Sequence, residues 1–175
     1  RPEIFRHELY YALRVVEEGH ITPDQMIGSW AGAMGQAQFM PTAFADFAID
    51  FDGDGRKDIW HTHADVFAST ANFLAQVGWR TGAKWGEPAT LPADFGLSLT
   101  DLKVTKTLPQ WQAMGVRTKS GDELPTGDYV ASVVRLGGND GPAFLVYENF
   151  RVIMRWNRSM YFAGAVGHLA DLIGR

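Results

Sequence analysis

The chain has no cysteine, which excludes disulfides, thiol catalysis, iron–sulfur clusters and thiolate zinc sites. It also has no apolar run near the ~20 residues needed to cross a bilayer, so a transmembrane helix is excluded. Basic residues are not in excess: 16 Lys and Arg face 20 Asp and Glu, giving a net charge of −4 and a pI near 5.7. That balance argues against a nucleic-acid partner, whose proteins carry a basic stripe. Internal repeats and low-complexity segments are absent. The chain opens Arg1-Pro2-Glu3 without Met or leader, and we read it as a piece of a longer precursor. What is present is enough for one domain, or one domain with a small lobe. The length is 175 residues, 46% of them hydrophobic, against a prior of roughly 100–200 residues per domain. Aromatics are plentiful, with 11 Phe, 6 Trp and 5 Tyr. Such a surplus serves a core and also suits a carbohydrate groove.

Phe5, Leu9, Leu13 and Val16 recur at helical spacing, which predicts a helix from about Ile4 to Glu18, stopped by Gly19. Thr22-Pro23-Asp24-Gln25 resembles a capping box and predicts a short helix after it. Pro41 opens another helix, with Phe44, Phe47 and Ala48 as its apolar stripe. From Val66 to Val77 helical spacing returns, with Asp65 at the N-cap and Gly78 at the stop. Residues 80–98 are punctuated by Gly and Pro and read as a loop. Tyr129–Leu136 and Ala143–Tyr147, separated by Gly137 to Pro142, give a β-hairpin signal. Phe162, Ala165, Val166, Leu169, Leu172 and Ile173 predict a last helix capped by Ser159. The fold class is therefore α+β, mainly α, with a small antiparallel β subdomain.

Two stretches carry chemistry. Gly28 to Pro41 is rich in Gly and Ala and also holds Ser29, Gln36 and Gln38. Close backbone packing explains it. So does a bulky ligand lying on bare backbone, with Gln38 offering donor and acceptor to a sugar hydroxyl or acetamido group. It lacks the Gly-Lys-Ser/Thr ending of a phosphate loop. The second stretch is Asp50-x-Asp52-x-Asp54-Gly55. Carboxylates at alternate loop positions converge on one point, as hard calcium requires. Gly55 falls where an EF-hand loop turns sharply, and Arg56 would give its backbone carbonyl. Position twelve, normally Glu, is His61 here. The competing reading is an acidic, Gly-rich turn with Asp65 only capping a helix. His61 and His63 lack further ligands for zinc, and no Gly-x-Ser-x-Gly elbow supports a serine nucleophile.

Gly32-Ala33-Met34-Gly35, Gln38-Phe39-Met40-Pro41, Asp50-Phe51-Asp52-Gly53-Asp54-Gly55 and Asp58-Ile59-Trp60 resemble the lytic murein transglycosylase B family. Ser69, Ala71-Asn72-Phe73-Leu74, Gly78-Trp79, Asn149-Phe150, Val152-Ile153, Arg155-Trp156-Asn157, Ser159 and Tyr161-Phe162-Ala163 continue the match. The resemblance spans nearly the whole chain and is least diagnostic between Arg80 and Tyr129. It implies a lysozyme-like fold and an EF-hand-like loop. It also implies non-hydrolytic cleavage of the MurNAc–GlcNAc β-1,4 bond of peptidoglycan, giving 1,6-anhydro products. One glutamate would protonate the leaving oxygen before the sugar's own 6-hydroxyl attacks. A second carboxylate is not required, unlike in an ordinary retaining glycosidase.

The family's catalytic Glu-Thr/Ser-x-x-Gly motif is missing. None of Glu3, Glu8, Glu17, Glu18, Glu87, Glu123 and Glu148 stands in it, so the catalytic glutamate is expected upstream. Glu8, in Phe5-Arg6-His7-Glu8-Leu9, is the fallback, weighed against a structural carboxylate. The resemblance assigns Ser29, Gln38, Phe73, Trp156 and Tyr161 to the substrate groove. Phe73 and Trp156 replace family tyrosines, and Tyr161 matches only with a one-residue gap. For each aromatic a core position is the alternative. For metal, the resemblance adds Asp65 to Asp50, Asp52, Asp54 and Arg56, after one extra residue, to hold a structural calcium. No cofactor is expected for catalysis. The expected organisation is a helical core over 1–79, a loop-rich β subdomain over 80–148 and returning C-terminal helices over 149–175. The partners expected are peptidoglycan glycan strands, in the periplasm of a Gram-negative envelope. A non-catalytic peptidoglycan-binding module and a calcium-stabilised structural domain are the alternatives.

Overall fold

The computed structural model describes residues 2–127 and 129–174. It divides into two compact units, Arg1–Gln76 and Val77–Arg175.

Unit 1 holds three helices: α1 (Pro2–Glu17), α2 (Pro41–Phe47) and α3 (His63–Gln76). α1 ends where expected, with Gly19 at φ +80 and the His20 amide on the Val15 carbonyl at 3.1 Å. Its expected core stripe does not pack within the unit. Leu9 and Leu13 are about 60% exposed (59% and 62%), and Val15 is the buried residue instead. Thr22–Gln25 forms a turn and not a helix. The Thr22 hydroxyl bonds the Gln25 side chain at 3.1 Å, so it does not cap, and Gly28 follows too soon for a second turn. Asp65 sits inside the first turn of α3 and not at its N-cap. Its carboxylate reaches out to the preceding loop (see below).

Unit 2 is built on an antiparallel sheet of order β2-β4-β5-β1-β3. Its strands are β1 (Gly86–Thr90), β2 (Lys106–Thr107), β3 (Arg117–Thr118), β4 (Val130–Arg135) and β5 (Ala143–Val146). β4 and β5 form the expected hairpin, pairing Val133 with Leu145 and Val134 with Phe144. β1 lies in the stretch read as a loop. Pro88 is tolerated there because β3 pairs only Ala89 and Thr90, leaving Pro88 unpaired on that side.

Successive strand residues point to opposite faces, and each face has its own core. On one face, Val133 and Leu145 pack with Leu108, Trp111 and Val116 from α4 (Leu108–Ala113) and its flank. On the other, Val134 and Val146 pack with Trp85, with Phe150 and Ile153 of α5 (Glu148–Trp156), and with Ala163 of α6 (Met160–Ile173). Thr107 and Gln110 form a capping box on α4, and Ser159 caps α6 as expected. The buried face of α6 is not the apolar stripe read from the sequence. It is Ala163, Gly164 and Gly167, while Leu169 and Ile173 are exposed. A Cβ on Gly167 would lie 2.3 Å from the Trp85 ring, so a bare backbone is what lets that indole seat.

Candidate functional site

The Gly28–Pro41 stretch of unit 1 is a folded-back loop, bridged between Gly28 and Met34 and between Met34 and Phe39. Here the packing explanation of the glycines is supported. A Cβ on Gly28 would stand 2.7 Å from the Ala33 carbonyl oxygen, and one on Gly35 would stand 2.6 Å from the Ile59 carbonyl oxygen. Ser29 closes the loop: its amide donates to the Ala33 carbonyl at 2.7 Å and its Oγ accepts the Ala33 amide at 3.1 Å. Gln38 is exposed and held at φ +51, a left-handed conformation that costs a non-glycine residue roughly 1–3 kcal/mol. Its Nε2 donates to the Gly35 carbonyl at 2.8 Å. Phe73 packs on Phe47 and Phe39, with ring centroids 4.8 and 6.0 Å away, which supports its core reading.

A cavity of about 430 Å³ opens beside this loop, lined by Ser29, Gly32, Glu8 and Trp30 among others. Neither Gln38 nor Phe73 is among its described lining residues. Trp30 is 97% exposed and was not singled out from the sequence. It stands between Ser29 and Ala31 in a Gly-rich stretch. Glu8 is hydrogen-bonded across to α2. Its two carboxylate oxygens accept from the Thr42 amide (3.0 Å) and the Thr42 hydroxyl (2.9 Å), at the first turn of α2. α2 has no side-chain cap of its own, so the charge from α1 stands in for one.

In the acidic loop, Asp65 is fully buried and accepts two backbone amides, Phe51 and Asp58, each at 2.8 Å. It thereby ties the loop's two ends together. Asp50 takes the amides of Gly53 and Gly55 at 2.7 and 2.9 Å. Ligand-capable oxygens of Asp50, Asp52 and Asp65 all lie within 4.8 Å of one another. Asp54 accepts the Arg56 amide at 2.8 Å. No cationic side chain among the described residues pairs with Asp50, Asp52 or Asp65. Three converging carboxylates with no protein cation are a hard-oxygen donor set of the kind calcium takes.

Two titratable groups brace this loop. Burial, with the nearby Lys57 charge, holds the His20 imidazole below its ordinary value, and its Nδ1 accepts the Lys57 amide at 3.1 Å. Burial pushes Asp58 up, but amides of His61 and Trp60 outweigh it, so the carboxyl lies below the usual range.

Trp156 and Tyr161 belong to unit 2. Trp156 is half-buried at the end of α5, and Tyr161 is 63% exposed on the first turn of α6. Unit 2 also has a larger cavity, about 710 Å³, that the sequence did not reveal. Its lining comes from the loop after Val77, from β1, from the approach to β4 and from the start of α5. Burial, with a hydrogen bond to Glu87, raises the Tyr147 phenol far above its ordinary value there.

With this geometry in hand, comparison with known proteins gives a consistent result. The family described as Transglycosylase SLT domain matches residues 1–171. Membrane-bound lytic murein transglycosylase B of Escherichia coli (strain K12) is 32% identical over 180 residues, covering 99% of this chain and 46% of that protein. The crystal structure of SltB3 from Pseudomonas aeruginosa in complex with NAG-anhNAM-pentapeptide superposes with a TM-score of 0.92. The two are 48% identical, over 98% of this chain and 46% of that one. Escherichia coli Slt35 in complex with calcium gives a TM-score of 0.82 at 31% identity, over 98% of this chain and 54% of that one. The chain thus spans about half the length of these relatives. The fold is the lysozyme-like α+β fold of these neighbours. Among the described residues no helix is long and apolar enough to cross a membrane.

Proposed function

The chain belongs to the Transglycosylase SLT domain family, and on that premise we propose that it is part of a peptidoglycan lytic transglycosylase. The reaction is non-hydrolytic cleavage of the MurNAc–GlcNAc β-1,4 bond, leaving a 1,6-anhydromuramoyl end. One observation carries the reading. A structure 48% identical to nearly the whole chain holds a fragment with an anhydro-sugar, the kind of end that internal attack leaves and hydrolysis does not.

The general acid, in this proposal, is a glutamate of the rest of the protein. Glu8 is occupied in capping α2, which supports its structural reading. Ser29, Gln38, Trp156 and Tyr161 are proposed to contact glycan. The strain at Gln38 supports a role for that residue, since unfavourable backbone conformations gather at ligand-binding positions. Phe73 is proposed only as backing for the groove wall. The periplasm of a Gram-negative envelope is the proposed location, in keeping with a murein substrate.

Calcium is proposed as a structural ion in an EF-hand-like loop. Asp50, Asp52 and Asp65 would hold it, with the Asp54 carboxylate and the Arg56 carbonyl completing the set. When bound, the ion neutralises the converging carboxylates and takes no part in glycan cleavage.

The test is incubation of murein sacculi with the whole protein and with this chain, followed by mass spectrometry for 1,6-anhydromuropeptides. The whole protein should release them. This chain should be slower by at least the roughly 10²–10⁴-fold that a positioned acid–base contributes. Equal release by both would place the acid among these residues. Hydrolysed, non-anhydro ends from the whole protein would refute the reaction type.

A further inference from the structure

The 710 Å³ cavity is enclosed wholly by unit 2. Its volume falls within the roughly 300–1,000 Å³ of small-ligand sites. Neither Trp156 nor Tyr161 lines it. α5 has nine residues, with the cavity at its start and Trp156 at its end, so the two are roughly 13 Å apart along the axis.

Its walls are pre-set. Asn149 is 1% exposed, accepts the Arg80 amide at 2.9 Å and donates to the carbonyls of Arg80 and Ala83 at 2.9 and 2.8 Å. That fixes the 80–83 segment at the rim. Glu87 is clamped between the Tyr147 hydroxyl, which donates to it, and Lys84 at 2.7 Å. The Tyr129 ring lies over Gly127, where a Cβ would come within 2.7 Å of a ring carbon. The cavity therefore has one phenol, Tyr147, held by a hydrogen bond, and a second ring, Tyr129, that is 62% exposed.

What remains available to a ligand is specific. The Arg80 guanidinium has no hydrogen bond or ion pair among the described residues, because only the Arg80 backbone is engaged. The Glu148 side chain is half-exposed and meets a cation only at 3.9 Å, on Arg151. A guanidinium fork suits a carboxylate, and an under-paired carboxylate suits an ammonium. A bare glycan offers neither charge. A phosphate would match Arg80 but leave the Glu148 carboxylate without a cation from the ligand. A short peptide with a free carboxylate and a free ammonium matches both charges, and its aliphatic side chains match the Tyr129 and Tyr147 rings.

We infer that this cavity binds a short zwitterionic peptide, namely the peptide carried by the wall glycan. The naming of that source rests on the proposed function; the chemistry of the cavity does not.

The test uses two probes on the 175-residue chain by isothermal titration: wall pentapeptide cut free of sugar, and a peptide-free NAG oligomer. The pentapeptide should bind. Arg80→Ala should weaken it roughly tenfold or more, as loss of a charge-assisted hydrogen bond does, and Arg80→Lys should recover part of the loss. Pentapeptide amidated at its carboxylates should bind wild type as weakly as the free peptide binds Arg80→Ala. Tyr129→Leu, at an exposed position, should also weaken binding, and unchanged thermal midpoints confirm that both variants fold. Undiminished binding by Arg80→Ala and Tyr129→Leu, or no peptide binding at all, overturns the inference. The oligomer separates the two readings. Peptide binding without any glycan affinity keeps this inference and counts against the proposed function, and glycan binding without peptide does the reverse.

Discussion

Unit 1 and unit 2 solve the same problem with different material. In unit 1, buried His20, Asp58, Asp65 and Ser69 take backbone amides from segments that lack regular structure. Side-chain acceptors there do the work that a sheet ladder would otherwise do. In unit 2 the backbone pairs with itself in five strands, and the interior can be apolar on both faces of the sheet. The lesson is one of vulnerability. Unit 1 should respond to protons, ions and lost carboxylates, and unit 2 to lost volume.

The largest effect expected from that contrast is in unit 2. Trp111 is fully buried and donates its Nε1–H to the Ala131 carbonyl at 3.0 Å. Trp111→Ala should cost roughly 3–5 kcal/mol in urea denaturation. A loss below about 1 kcal/mol would mean that the sheet, and not the packing, carries this unit.

Next comes Asp65→Ala. It strands two inward-facing amides, at roughly 1–3 kcal/mol for each group left unsatisfied. The same variant should lose the rise in thermal midpoint that calcium gives over chelator. An ion at 100 times its Kd adds about 2.7 kcal/mol, so calorimetry on wild type, Asp52→Asn and Asp65→Ala separates loop-tying from ion-holding. No calcium effect on wild type removes the ion and leaves the tie.

Glu8→Gln should be milder, at about 1–2 kcal/mol, the range of a lost helix cap. It keeps an oxygen for Thr42 but loses the charge. In the whole protein it should leave anhydromuropeptide release within a factor of ten. A hundredfold drop at unchanged stability would make Glu8 catalytic after all.

The smallest effect is a pH slope from His20. Its folded value lies below the ordinary 6.5, so between the two values the unfolded chain binds more protons. Stability is therefore full above about pH 6.5 and falls as pH drops through the depressed value. Thermal midpoints from pH 8 to 5 should show this, and His20→Asn should flatten that part of the curve.

How far these features could be read beforehand depended on what kind of contact made them. Periodicity announced α1, α3 and the β4–β5 hairpin, because each repeats a local pattern. It misjudged which face is buried wherever small residues make the contact. Gly164 and Gly167 carry no hydrophobic signal, yet they seat Leu136 and Trp85, while the conspicuous leucines of α6 stay exposed. β1 was hidden by Pro88, since only the short reach of β3 makes that proline harmless. The acidic loop was legible as a donor set. The reach of Asp65 back to Phe51 and Asp58 was not, because it closes a ring across 14 and 7 residues. The unit 2 cavity was invisible for the same reason: its lining gathers residues 80 and 149, which only the fold brings together.

The exposure of Trp30 has a practical side. Of the six tryptophans, Trp60, Trp85 and Trp111 are buried and Trp79 and Trp156 half-buried, while Trp30 stands almost wholly in solvent. The protein thus carries its own fluorescent reporter. Trp30 should emit at the red edge of the spectrum and be the first indole that iodide quenches, whereas the buried set should stay blue until unfolding. Anything that settles over the 430 Å³ cavity it rims would shift the red component alone, so occupancy there could be followed without a label.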